Sequence, residues 1–373
     1  AFVLYRIMKT IGFKQHACYI ALLFFFFSPA MLGTVYDIDS INQVYAQFWG
    51  LVATWIYLNK SKRTDYILWF VCAYIATFSK ENGITWFVLP PIMAFALNRI
   101  KLKNCIQDLI LALIPVFLYF MVRYLLTPEN ITINAKYLDF SLHTKLRNIG
   151  LILMMTWVPF DYVAVFYAPE RNLFLAANTL LMTCPFLCML FWKNRKELFH
   201  KTFLLLFLCT FIATSPHLVT LSTAMHAYAS LAIAAIIVAY LLHQLEHTGW
   251  LKISFVLFLF SCLLIDAHHW IKAYESGLTG RRMSMEAIQK TGKPIQKAFV
   301  ISIESGNDKY SMFCVQPKDF FAWGYSTRLV TEYKWPKELR DTNLVENDRV
   351  VIDKITRKAF QEGFDRVWIL RHD

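Results

Sequence analysis

Lys80 and Glu81 stand side by side between two strongly apolar segments. Charged side chains are rare within membrane segments, and where they occur they indicate a functional site. A lysine at this position can bind the phosphate of a lipid-linked ligand as a point charge, and Glu81 can orient that lysine or act on an acceptor. The alternative is a lysine that extends to the membrane surface and pairs with its neighbour.

Three more carboxylates are candidate catalytic residues beside Glu81. Asp37 and Asp39 are two residues apart in a polar segment, and such a pair can bind a divalent metal (Mg²⁺ or Mn²⁺), or one of them can act as a general base. Asp161 lies among aromatic residues of an apolar segment, an arrangement consistent with a wall that binds a sugar or with an acid of raised pKa. The structural alternatives are an acidic surface loop for the pair and, for Asp161, a hydrogen bond to backbone left free by Pro159.

Cationic and aromatic side chains at the ends of other apolar segments complete the predicted phosphate site. Arg123 ends one segment, where it either binds an anionic head group or anchors the membrane interface. His226 and Tyr228 follow a short polar gap that His217 precedes, and they either contact a phosphate or cap the interface. We therefore predict Lys80, Arg123, His226 and Tyr228 as ligands of a phosphate.

Composition predicts a membrane protein. The chain of 373 residues is 57% hydrophobic and only 17% charged, whereas soluble proteins are about a quarter charged. The net charge of +12 comes from basic residues in short gaps between apolar segments, which is the orientation signal of membrane proteins and not a nucleic-acid-binding surface. We therefore predict a polytopic α-helical protein with about ten spans and a re-entrant element at 141–168.

The predicted spans have these approximate bounds: 17–33, 44–58, 66–79, 84–97, 105–126, 172–192, 202–221, 228–242 and 251–265, after a partial helix at 2–8. They define a transmembrane domain at residues 1–266. The more polar tail, residues 267–373, is predicted to be a small soluble α/β domain on the extracytoplasmic side. Within it we expect buried strands at Phe299–Ile303 and Val367–Leu370 and a helix at Asp353–Gly363.

Several short motifs together resemble the C-type (GT-C) glycosyltransferase superfamily over roughly residues 1–245. The matching segments are Phe27-Ser28-Pro29 before a polar loop, Ser79-Lys80-Glu81-Asn82-Gly83 followed by Pro90-Pro91, Tyr119 to Arg123, and Pro159-Phe160-Asp161-Tyr162. The nearest branch is that of the transmembrane O-mannosyltransferases. Protein O-mannosyltransferases and the bacterial enzymes that add aminoarabinose to lipid A are related branches.

The resemblance implies a membrane enzyme that transfers a sugar from a polyprenyl-phosphate-linked donor to a glycan, lipid or protein on the periplasmic or lumenal face. Lys80 corresponds to a lysine near the donor phosphate in the lipid A relatives, and Asp37 and Asp39 fall in a loop that supplies metal ligands in some branches. The family's main catalytic acid would precede Ala1, so we expect an N-terminally truncated chain. The expected location is the bacterial inner membrane rather than the endoplasmic reticulum.

Two other functions explain the same sequence features. A flippase for polyprenol-linked glycans, or another transporter, also uses intramembrane charges and broken spans. A non-catalytic subunit that binds an acceptor or a partner is the third interpretation. The absence of a repeat between the two halves of the apolar region, together with a domain after the last span, favours the enzyme.

Overall fold

The protein is described here from a computed structural model. Residues 1–371 are described except the following: 32–33, 35–40, 127–138, 160–172, 220–223, 246–248, 292–295, 304–337 and 345–346. Two compact units are present: the first contains Ala1–Phe160 and Ala177–Asp266, and the second contains Asp161–Ala176 and Ala267–Asp373.

Helices dominate the described structure. Their bounds are α1 Phe2–Ile11, α2 Gln15–Phe26, α3 Ile41–Leu58, α4 Arg63–Ser79, α5 Leu89–Ala96, α6 Leu102–Leu126, α7 Leu142–Trp157, α8 Leu173–Lys193, α9 Lys201–Thr214, α10 Tyr228–His243, α11 Gly249–Thr291 and α12 Arg349–Gln361. Short 3₁₀ helices lie between them at Pro29–Met31, Glu81–Phe87, Glu197–Phe199, Ser215–His217 and Ala224–Ala227.

Local side-chain and glycine caps set several helix ends. The carboxylate of Asp65 accepts hydrogen bonds from the backbone N–H groups of Ser61 and Lys62 at 2.6 and 2.8 Å, where α4 begins. Asp348 precedes α12 and accepts hydrogen bonds from backbone N–H groups in the first turn of that helix, and Gly12 ends α1 with a left-handed φ of 99°. Capping groups satisfy backbone donors and acceptors that the first and last turns leave free, so these residues fix where the helices begin and end.

The prediction of a polytopic protein with about ten spans is wrong. Among the described residues, two helices are long and apolar enough to cross a membrane: Leu102–Leu126 and Gly249–Ile271. The apolar helices α2, α9 and α10 contain 12, 14 and 16 residues. At 1.5 Å per residue they are about 18 to 24 Å long, whereas a span needs about 20 residues to cross hydrocarbon about 30 Å thick.

Breaks inside the apolar segments explain the error. The segment predicted to cross at 84–97 is a 3₁₀ helix that ends at Phe87, followed by the eight-residue helix α5. Of the predicted re-entrant element at 141–168, the structure describes the 16-residue helix α7 and residues 158–159. Apolar composition therefore identified the helices, but it did not show where an apolar segment is interrupted.

The core of the first unit surrounds α10. Every residue from Tyr228 to Leu242 is buried, and α10 packs against α2 and α9. A helix that is apolar on all sides belongs either in a protein core or in a membrane. The close contact of α3 with the 3₁₀ helix Glu81–Phe87 extends this core, because Gly50 leaves room for the indole of Trp86.

The second unit contains a parallel three-stranded sheet in the order β2-β1-β3. Its strands are β1 Lys297–Ile303, β2 Glu338–Leu344 and β3 Arg366–Arg371, with β1 in the centre. Ile301 and Ile303 of β1 pack against Ile352 of α12. Strands occupy both segments where the sequence predicted them, whereas β2 was missed because its sequence is mostly polar.

Candidate functional site

The corner between α4 and the next 3₁₀ helix carries Lys80 and Glu81. Lys80 ends α4 in an extended conformation, with φ −158° and ψ 144°. Its backbone N–H still bonds to Ala76 at 3.1 Å, and its carbonyl accepts from the N–H of Gly83 at 2.8 Å. A Cβ atom on Gly83 would lie 2.2 Å from the carbonyl of Ala76. Glycine at this position therefore lets the chain fold back tightly onto the last turn of α4.

A cavity of about 250 Å³ opens at this corner and extends to the end of α6. The guanidinium of Arg123 lies 3.4 Å from the Glu81 carboxylate and donates a hydrogen bond to the hydroxyl of Tyr119 at 3.0 Å. The cavity is lined by Thr77, Phe78, Ser79, Lys80, Glu81, Tyr119, Val122, Arg123 and Leu126. Two cations and one carboxylate thus share a cavity whose remaining lining is mostly apolar.

The ion pair at the cavity mouth is exposed. Roughly half of each side chain is accessible, 51% for Arg123 and 56% for Glu81. Such surface pairs contribute little to stability because water and salt screen them. An anionic ligand can therefore compete with Glu81 for Arg123 at low cost.

The cavity lies at the carboxyl end of a helix with an apolar outer surface. Only 17% of the apolar stretch of α6 is buried within the protein. Its exposed side chains include Phe117, Phe120, Leu125 and Leu126. An apolar surface that leads to a cationic cavity matches a ligand with a long hydrocarbon chain and an anionic head.

Two histidines stack beside this corner. The rings of His217 and His226 lie 4.1 Å apart between centroids, and both side chains are buried. Burial, followed by the positive charge of Lys80, lowers the pKa of His226 to about 4. The pKa of His217 is held well below its ordinary value by burial, then by His226 and Lys80. Both rings are therefore neutral at pH 7, so they offer polar contacts rather than cationic charge.

Short 3₁₀ helices bring these groups together. The 3₁₀ helix Glu81–Phe87 packs against Ser215–His217, and Ala224–Ala227 packs against Pro29–Met31 and α7. Asn148 of α7 donates a hydrogen bond to the carbonyl of Leu218 at 2.9 Å. These contacts fix the segment that carries His217 next to the segment that carries Lys80.

The predicted site residues fall into two groups. The structure places Lys80, Glu81 and Arg123 around one cavity and places His226 within electrostatic range of Lys80. Tyr228 begins α10, where its buried ring packs 5.9 Å from the ring of Phe25 between centroids.

The other predicted residues, Asp37, Asp39 and Asp161, lie outside the described residues. Within the described part of the chain, no group of three or more His, Cys, Asp or Glu side chains has the arrangement of a metal site. A metal at Asp37 and Asp39 therefore stays a prediction.

Sequence reasoning missed three buried amide side chains on α3 and on the 3₁₀ helix that carries Glu81. Gln43 and Gln47 of α3 and Asn82 of the 3₁₀ helix are all buried. A glutamine within an apolar helix does not by itself indicate a binding site. The sequence signal for this cluster was the position of Asn82 directly after Lys80 and Glu81.

No protein-family model matches the chain, and no curated protein or solved structure matches it either. Any function assigned to the cavity therefore depends on the chemistry of its residues and on the motifs that resemble C-type glycosyltransferases.

Proposed function

We propose that the chain is a membrane glycosyltransferase that moves a sugar from a polyprenyl-phosphate-linked donor to a glycan, lipid or protein acceptor. The supporting observation is that Lys80 and Arg123 line one cavity at the end of α6, a helix long enough to cross a membrane. The two cations match the donor phosphate, and the apolar surface of α6 matches the prenyl chain.

The reaction breaks the bond between the anomeric carbon of the sugar and the phosphate oxygen. The bonding electron pair leaves with polyprenyl phosphate, so negative charge grows on the phosphate in the transition state. Lys80 and Arg123 stabilise that charge where it develops, which lowers the barrier. Arg123 can donate two parallel hydrogen bonds, whereas Lys80 acts as a point charge.

An acceptor hydroxyl forms the new bond to the anomeric carbon and loses its proton to a carboxylate. The candidate bases are Asp37, Asp39, Glu81 and Asp161, of which Glu81 lines the cavity. When the donor phosphate takes Arg123, the Glu81 carboxylate loses its partner and becomes available to accept a proton. If a divalent metal takes part, Asp37 and Asp39 are its proposed ligands.

The donor determines the proposed location. A polyprenyl chain is confined to a bilayer, so the protein would act as an integral membrane protein, with the bacterial inner membrane as the proposed compartment. The resemblance to C-type glycosyltransferases supports an extracytoplasmic cavity and second unit.

Transfer by purified protein in detergent tests this proposal. The expected result is transfer from polyprenyl-phosphate mannose, glucose or galactose to glycan, lipid or peptide acceptors, with a loss of about 100-fold or more in Lys80→Ala. Lys103→Ala is the matched control, because this exposed lysine lies in the first turn of α6, at the end of the helix opposite the cavity. Full transfer by a folded Lys80→Ala protein would refute the assignment. A wild-type protein that moves glycolipids across vesicles but transfers no sugar would be a transporter.

A further inference from the structure

Three buried amides form a cluster between α3 and the 3₁₀ helix Glu81–Phe87. Gln43, Gln47 and Asn82 are only 2%, 3% and 8% exposed. The amide nitrogen of Asn82 donates to Oε1 of Gln43 at 2.7 Å. Since Gln43 and Gln47 are one turn apart, both face the 3₁₀ helix from the same side of α3.

Much of the hydrogen-bonding capacity of this cluster is unused. In the described structure Nε2 of Gln43, both Nε2 and Oε1 of Gln47, and Oδ1 of Asn82 have no hydrogen-bond partner. Unpaired buried polar groups cost stability because their lost hydration is not replaced. Native proteins contain few of them, and a cluster of four calls for a ligand or ordered water.

The cluster adjoins one residue of the cavity lining through the chain. Asn82 follows Glu81 in the chain, so their Cα atoms are about 3.8 Å apart. The contact of Gly50 with Trp86 holds the 3₁₀ helix against α3 on the same side as the two glutamines. Asn82 is therefore the chain neighbour of a residue that lines the cavity, and Gln43 bonds directly to Asn82.

We propose that the amides of Gln43, Gln47 and Asn82 bind hydroxyl groups of the donor sugar. This inference depends on the proposed function and adds the part of the site that recognises the sugar. Two free amide nitrogens and two free amide oxygens require a ligand that both donates and accepts. A hydroxyl group does both, whereas a phosphate only accepts from the protein and a metal ion binds only the oxygens.

The route to the amides passes Glu81. Its pair with Arg123 is exposed, and the donor phosphate competes for the same guanidinium. Glu81 and Asn82 both belong to a 3₁₀ helix, whose hydrogen bonds have poorer geometry than those of an α-helix. Donor binding would therefore separate Glu81 from Arg123 and admit the sugar to the amides.

The variant Gln47→Met tests this inference. Both polar atoms of Gln47 are unpaired, so the substitution removes no hydrogen bond within the protein and keeps a similar side-chain volume. The probes are polyprenyl phosphate and its mannose, glucose and galactose derivatives, each titrated into detergent-solubilised protein. Gln15→Met, an exposed glutamine on α2, is the control.

We expect Gln47→Met to weaken binding of the best sugar-bearing lipid by about tenfold and to leave binding of polyprenyl phosphate unchanged. Unchanged binding of both lipids would overturn the amide inference, with ordered water as the occupant, and would leave the proposed function standing. Equal weakening of both lipids would also overturn it, because the amides would then support the whole site. A wild-type protein that binds none of these lipids would refute the proposed function as well.

Discussion

Replacing Gly83 by alanine should destabilise the protein and displace the candidate phosphate site. The new Cβ would meet the carbonyl of Ala76 at 2.2 Å and the backbone nitrogen of Thr77 at 2.5 Å. These are backbone atoms and cannot rotate away, so the corner must open by roughly 1 Å to restore ordinary contact distances. Overpacking of this kind costs about 1–3 kcal/mol, and a backbone clash belongs at the upper end of that range.

Gly150→Ala is the matched control, because it adds the same methyl group where there is room. Gly150 lies inside α7, and nothing is within 4 Å of the position that its Cβ would occupy. Alanine is favoured over glycine inside a helix by about 1 kcal/mol. This substitution should therefore stabilise the protein, with the opposite sign to Gly83→Ala.

Thermal unfolding of both variants in one detergent measures the difference. For a protein of 373 residues, about 1 kcal/mol shifts the unfolding midpoint by about 1–2 °C. We expect the midpoint to fall by about 2–5 °C in Gly83→Ala and to rise by about 1–2 °C in Gly150→Ala. Because Gly83 donates to the Lys80 carbonyl, donor binding should weaken in Gly83→Ala even well below its midpoint. A Gly83→Ala protein as stable as wild type would refute the close-approach argument.

Two further predictions concern buried charge. Lys60→Met should cost about 3–5 kcal/mol in chemical unfolding, because it leaves the buried Asp108 carboxylate without the ammonium that lies 2.6 Å away. The double variant Lys60→Met/Asp108→Leu should recover most of that loss, and a double variant no more stable than the single one would contradict the argument. Acidification from pH 7 to pH 5 should lower the free energy of unfolding by about 2 kcal/mol through His226. The pKa of His226 is about 4 in the folded protein and returns to its ordinary value on unfolding. The unfolded chain therefore binds more protons than the folded protein in this pH range. His226→Asn should reduce this pH dependence of the unfolding midpoint, and an unchanged pH profile would show that another group is responsible.

The sequence was sufficient to locate helices but insufficient to assign them to a membrane. The continuous apolar run of α10 fits a bilayer by composition, yet all of Tyr228–Leu242 is buried within the protein. A helix that is apolar on every side has no period that distinguishes lipid from protein neighbours. Its length is the distinguishing property: the helix has 16 residues, within one residue of the predicted segment 228–242, whereas a span needs about 20.

In the second unit, the strands with apolar runs were predictable and the polar one was not. Phe299–Ile303 and Val367–Leu370 are mostly apolar, as expected of buried strands in a parallel sheet. The segment Glu338–Leu344 pairs with β1 although three of its seven residues are charged. This strand forms ion pairs, such as the one between Lys297 and Glu338 at 2.8 Å. Such pairs can be predicted only when the register of the strands is known.

The candidate site was predictable in its charges and not in its neutral groups. Lys80, Glu81 and Arg123 were noticeable because charge is rare beside apolar segments. Buried amides carry no charge and do not stand out in an apolar segment. The proposed role of Gln47 depends on the lack of hydrogen-bond partners for its two polar atoms, which only the described structure shows. The stacking of His217 on His226 likewise results from tertiary packing of two 3₁₀ helices that no sequence period indicates.

Crosslinking with a photoactivatable polyprenyl-phosphate sugar reports directly where the donor lies. Peptides containing residues 77–81 and 119–126 should carry the probe, and unlabelled polyprenyl phosphate should compete for them. Lys80→Ala should reduce this labelling, whereas Lys103→Ala should not. Labelling confined to other parts of the chain, with the cavity residues unmodified, would refute the proposal that this cavity binds the donor.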